Sequence, residues 1–141
     1  MSITYQQKDH NLTREEATLR ADTINAGVEY QVFVDLKKGK EYSCSVSIQF
    51  SASKCGDSFL DFGGKSLNSV NFNGHEWTKN DEGLFPQLSS GKLELKGIKE
   101  GQNCLFITLD NEYYSDGNGL HSFTDIDGCQ YTYTQCEPHM S

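Results

Sequence analysis

Val28-Glu29-Tyr30-Gln31-Val32-Phe33-Val34-Asp35-Leu36, a turn around Gly39, and then Tyr42-Ser43-Cys44-Ser45-Val46-Ser47-Ile48-Gln49-Phe50 decide the fold. Both runs alternate large apolar and polar residues with a period of two, the period of a pleated strand with one face turned inward. They therefore predict a β-hairpin with an inner and an outer face. The same grammar continues along the chain. Phe59-Leu60-Asp61-Phe62 and Leu67-Asn68-Ser69-Val70-Asn71-Phe72 are separated by Gly63-Gly64. Asn73-Gly74, a strong hairpin-turn signal, precedes His75-Glu76-Trp77. Lys92-Leu93-Glu94-Leu95, a turn over residues 99–103 and Cys104-Leu105-Phe106-Ile107-Thr108-Leu109 come next, with Asp125-Ile126-Asp127-Gly128 as a tight turn into the last strand. This succession of short strands predicts an all-β fold, an antiparallel saddle-shaped β-sandwich.

One segment departs from the period of two. Thr13-Arg14-Glu15-Glu16 is a capping box, and Ala17, Ala21 and Ile24 then recur at helical spacing. They predict one short N-terminal helix over about residues 13–24, ended by Asn25-Ala26-Gly27. Residues 1–11 read as an extended arm. The 141 residues fit a single domain over residues 1–141, with strands from about residue 28 to 137.

Composition narrows the function classes. A formal net charge of -8 disfavours nucleic acid and anionic membrane surfaces, which reward Lys and Arg, and leaves a cationic ligand easier to accommodate. No apolar run reaches the ~20 residues of a membrane span, and the first 25 residues lack a signal-peptide core, so the chain reads as cytoplasmic. Five cysteines without C-x-x-C spacing read as free thiols. His10, His75, His121 and His139 have no metal-ligand spacing. The acidic loop over residues 110–119 lacks the ligand pattern of a calcium loop.

The candidate site is the C-terminal strand Tyr131-Thr132-Tyr133-Thr134-Gln135-Cys136-Glu137-Pro138. Alternation puts Tyr131 and Tyr133 on one face with Gln135 and Glu137, and Pro138, which cannot donate to a ladder, ends the pairing. Two polar side chains then stand at a strand exit, where a ligand can meet them. Trp77 and the tyrosines offer a different platform, one for carbohydrate or protein, were this an unrelated sandwich module.

The order of these motifs resembles the N-terminal domain of the aminopeptidase N family of zinc metallopeptidases. The resemblance covers nearly the whole chain: Leu12-Thr13-Arg14-Glu15-Glu16-Ala17, the two alternating strands, Phe59-Leu60-Asp61-Phe62, Val70-Asn71-Phe72-Asn73-Gly74 and Gly101-Gln102-Asn103 follow in the family's order. Its most specific part is Tyr114-Ser115-Asp116-Gly117-Asn118-Gly119-Leu120-His121-Ser122-Phe123-Thr124-Asp125, followed by Asp127-Gly128 and Tyr133-Thr134-Gln135-Cys136-Glu137-Pro138. Asp125-Ile126 stands where the family usually has Asp-Pro. By this resemblance the chain is the substrate-anchoring domain of a zinc aminopeptidase that removes N-terminal residues from peptides. Glu137 would help bind the α-ammonium of the peptide, and Gln135 would line the pocket for its first side chain. The resemblance puts zinc only in a thermolysin-like catalytic domain beyond this chain, so the chain alone is expected to hold no cofactor and to be inactive. The alternative is a catalytically inactive relative that serves as a structural or assembly subunit among protein partners.

Overall fold

In a computed structural model, residues 12–117 and 119–135 are described, except for the side chains of Asn25 and Ala26. The arm expected over residues 1–11, and Cys136, Glu137 and Pro138, lie outside the described residues. The helix α1, Arg14–Thr23, starts where its capping box places it. Thr13 Oγ1 accepts from the Glu16 amide at 3.1 Å, and the Glu16 carboxylate accepts from the Thr13 amide at 2.9 Å. These bonds satisfy two donors that a helix start otherwise leaves open. Strand β1, Ile24–Asp35, follows directly, and β2, Glu41–Ala52, pairs back on it with Val32 opposite Val46 and Tyr30 opposite Ile48.

The remaining strands are β3 Gly56–Asp61, β4 Ser66–Phe72, β5 His75–Glu76, β6 Leu88–Ser89, β7 Lys92–Ile98, β8 Gly101–Glu112, β9 Gly119–Thr124 and β10 Gln130–Gln135. They form a five-stranded sheet in the order β1-β2-β8-β4-β5, a three-stranded sheet in the order β3-β7-β6, and the β9–β10 ribbon. Every pairing between these strands is antiparallel. The all-β architecture with one N-terminal helix is the one that the alternating pattern predicts.

The core lies between the two larger sheets. Ile48, Phe50, Leu67, Val70, Phe72, Leu105 and Ile107 of the five-stranded sheet share one buried cluster with Leu93, Leu95 and Ile98 of the three-stranded sheet and with Phe85. Each such side chain contributes about 1.5–3 kcal/mol relative to leaving it exposed. Two turns are tied together by Asn103, a buried amide. Its Oδ1 accepts from Asn73 Nδ2 at 2.8 Å and from the Lys99 amide at 3.0 Å, while its Nδ2 donates to the carbonyls of Lys99 and Gly101. Asn73 and Gly74 both hold positive φ, 51° and 82°, as their turn requires.

Three expectations are corrected. Of the three residues at helical spacing, Ile24 packs against the core but Ala17 and Ala21 are exposed, so α1 is not held by an alanine face. It docks through polar side chains gathered on Phe59: the Arg20 guanidinium and the Lys92 ammonium each lie 4.2 Å from the ring centroid, Arg20 donates to the Phe59 carbonyl at 3.1 Å, and Lys92 pairs with Glu16 at 2.7 Å. Cations over an aromatic face hold the helix together with Thr23 at its end, which is buried and whose carbonyl accepts from the Ser53 amide at 2.9 Å. Trp77 is no open platform; it is half-buried against the core, edge-on to Phe72 at 6.4 Å. Finally, β1 has the expected inner and outer faces, yet residues 27–35 are exposed throughout. With strands about 4.8 Å apart, a three-stranded layer is narrower than a five-stranded one, and the edge strand is left without cover.

Candidate functional site

The β9–β10 ribbon carries the site. Its two strands pair from Gln130 opposite Thr124 to Gln135 opposite Gly119. Because directly opposed residues share a face, Phe123 and Tyr131 meet as a stacked pair with centroids 5.3 Å apart, and His121 and Tyr133 meet at 4.8 Å. His121 and Phe123 are also neighbours, at 6.5 Å. The four rings make one aromatic ladder along the ribbon. It ends at Gln135, which is exposed and faces a residue with no side chain.

The ribbon is fixed to the sandwich near its base. The Gln130 amide grips Gly39 from both sides, accepting from its N–H and donating to its carbonyl, each at 3.0 Å, and it also donates to Ser122 Oγ at 2.7 Å. Tyr113 donates its hydroxyl to the Lys37 carbonyl and its amide to the Lys40 carbonyl, with its ring 5.0 Å from that of Tyr42. The turn between β1 and β2 is thus the anchor of the ribbon.

The open end is shaped by Tyr114 and Gly119. Tyr114 bridges the ribbon through its backbone, its N–H donating to Leu120 O and its carbonyl accepting from Ser122 N, both at 3.0 Å. Its ring fills the space that a side chain at Gly119 would need: a Cβ there would lie 2.7 Å from Tyr114 Cδ2. Gly119 also holds φ at 59°, which favours glycine. His121 is 8% exposed, and its Nδ1 accepts from the Gly117 amide at 2.8 Å, which puts the ring proton on Nε2. At the other end, Asp125 Oδ1 accepts from the amides of Asp127 and Cys129, closing the tight turn that the sequence predicts.

Of the two candidate site residues, Gln135 stands at the exit of β10, on the face of Tyr131 and Tyr133, as alternation predicts; Glu137 lies outside the described residues. The strand does not hide its other face, since residues 131–135 are all exposed. A two-stranded ribbon has no third strand or second layer to bury one side. Sequence reasoning missed His121, Phe123, Tyr114 and Gly119 as parts of the site. The available signal was the alternation Gly119-Leu120-His121-Ser122-Phe123, the mirror of Tyr131-Thr132-Tyr133.

Chemically, the ladder offers π faces and a polar exit. Such an arrangement can attract a cation and supply hydrogen bonds at its edge. Among the described residues, no group of three His, Cys, Asp or Glu lies together so as to hold a metal ion. Strong local electrostatics lie elsewhere, on the outer face of the large sheet. Hydrogen bonds from Ser43 and then Asn68 hold Asp110 below the usual carboxylate range, while Glu112 and Glu41 together raise the pKa of Lys65, to which both are bonded. Comparison of the chain with protein-family models and with curated protein sequences finds no match.

Proposed function

We propose that this domain anchors the free N-terminus of a peptide at the open end of the β9–β10 ribbon, as the substrate-holding part of a zinc aminopeptidase whose metal and catalytic residues belong to a thermolysin-like domain outside this chain. The observation that carries the reading is the aromatic ladder ending at Gln135 opposite Gly119. A peptide's first residue brings an ammonium and a side chain to one point. Tyrosine faces attract the cation, Gln135 can bond to or line the space for the side chain, and Glu137, two residues further on, supplies the opposite charge. Selectivity follows from chemistry, because an internal amide presents no cation to such a site. The net charge of -8 also suits a cationic ligand.

The test is steady-state kinetics on the peptidase that joins this domain to its catalytic domain. Glu137→Gln keeps the shape and removes the charge, so loss of a charged hydrogen bond at a shielded site lowers kcat/KM by about ten- to hundredfold, or ~1.5–3 kcal/mol. Gln135→Ala changes the preference among first-position side chains instead. Parental kcat/KM in Glu137→Gln, with unchanged preference in Gln135→Ala, would remove the proposal.

A further inference from the structure

Strand β1 is the outer strand of the five-stranded sheet, and among the described residues nothing pairs with its free edge. Its exposed apolar side chains lie on both faces. Tyr30, Val32 and Val34 share the inner face with Ile48, Val46 and Cys44, while Phe33, opposite Ser45, stands on the outer face and is 68% exposed. Glu29 and Gln31, joined by a 3.0 Å hydrogen bond, and Asp35 also lie on the outer face. Lys37, just past the strand, joins them there: it donates to Ser43 Oγ, lies 3.9 Å from Asp35 Oδ2 of its own chain and still keeps a side chain that is 56% exposed. Residues 28–36 contain no Lys, Arg or Pro, and the register shifts of β1 come before Glu29, so from there to Asp35 the edge runs regular.

We propose that two copies of the chain associate by pairing their β1 strands edge to edge, antiparallel, about a two-fold axis at Phe33. Such pairing sets each residue opposite the one equally far on the other side of the axis. In this register Val32 meets the second copy's Val34, and Tyr30 meets its Leu36, so the inner stripes merge into one apolar band. On the outer face Phe33 meets Phe33, Gln31 meets Asp35, and Glu29 meets Lys37. Charge and apolar matching together select this register over its neighbours. An axis at Val32 would set Glu29 against Asp35, two like charges, and an axis at Val34 would set Tyr30 against Lys38 and Phe33 against Asp35.

The net charge of -8 on each copy opposes the approach, but salt screens it beyond about 8 Å at physiological ionic strength. A single pair of strands buries a strip at the small end of interface sizes, so the dimer is a weak one, with a dissociation constant on the order of 10–100 μM.

Sedimentation of the full chain from ~1 μM to ~500 μM in ~150 mM salt tests this. The mass average is expected to rise from one copy towards two. Phe33→Lys, which places two ammonium groups across the axis, abolishes the rise while leaving the circular dichroism spectrum intact. Glu29→Lys and Lys37→Glu each weaken the dimer about tenfold, since the symmetric interface contains the pair twice, and the double exchange restores it to within about threefold. A single-copy mass at every concentration would overturn the proposal, as would a dimer insensitive to Phe33→Lys or a double exchange no better than the single ones. A dimer that forms only after deletion of residues 1–11 would also overturn it, and would assign the edge to that segment.

Discussion

Replacing Gly119 by alanine should be far more costly than replacing Gly128, although both glycines hold a positive φ in the same ribbon, 59° and 79°. At Gly128 an added Cβ meets nothing within 4 Å, so Gly128→Ala carries only the left-handed backbone cost of about 1–2 kcal/mol. At Gly119 the same cost applies, and the new methyl would also stand 2.7 and 2.8 Å from two carbons of the Tyr114 ring. Tyr114 cannot back away as a whole, because its backbone is bonded on both sides to the ribbon, so only a turn of its side chain out of its present packing relieves the contact. Overpacking of this sort adds about 1–3 kcal/mol, giving a total of about 2–5 kcal/mol for Gly119→Ala. Urea unfolding of the two variants measures the difference. Repeating Gly119→Ala in a Tyr114→Ala background should return its cost to that of Gly128→Ala, since the clashing ring is gone. Equal costs for the two alanines in the parent chain would refute the placement of Tyr114 over the open end of the site.

Asn103→Ala removes a buried amide with four hydrogen bonds between two turns and strands the Lys99 amide; it should destabilise the fold by about 2–4 kcal/mol, read as a lower urea midpoint at unchanged m. Glu16 is held below its ordinary pKa of 4.5, chiefly by its bond to Lys92 and then by the Thr13 amide, so its contribution is present above that value and is lost as pH falls through the lowered one. Glu16→Gln preserves the capping box but not the charge; its Tm deficit at pH 7 should shrink as pH falls below the ordinary value and through the lowered one, and a deficit independent of pH would contradict the ion pair. Alkylation of the unfolded, unreduced chain should label five thiols. In the folded chain the exposed Cys55, Cys104 and Cys129 should react ahead of Cys44, which is half-buried and whose thiol burial pushes up.

The features legible in the sequence are those set by near neighbours. The capping box needs only Thr13 and Glu16, the Asn73-Gly74 turn needs two residues of positive φ, and the β1–β2 alternation needs only the pleat. What escaped reading depends on partners far along the chain. The dock of α1 on Phe59 joins residues 39 positions apart, and the Lys92–Glu16 bond joins residues 76 apart, so no local pattern announces either. Exposure of β1 is decided by the width of the opposing sheet, which the residues of β1 do not encode. In the site, Tyr131, Tyr133 and Gln135 were readable from one strand's alternation. Tyr114 and His121 were not, because their roles come from a parallel bridge between them and from a ring packed over a glycine. The two-residue strand β6 is too short to carry a period at all.

Whether the open end of the ribbon holds a peptide's free amine is decided by nuclear magnetic resonance titration of the labelled chain with a short peptide and with the same peptide acetylated at its N-terminus. A single ammonium site on an isolated domain binds weakly, with a dissociation constant on the order of 1 mM, which such titrations measure well. Saturable shifts are expected at Gln135, Tyr133 and His121 with the free amine, diminished in Glu137→Gln, and none with the acetylated peptide. Equal shifts with both peptides, or shifts that saturate elsewhere and leave these residues unmoved, would contradict amine binding there.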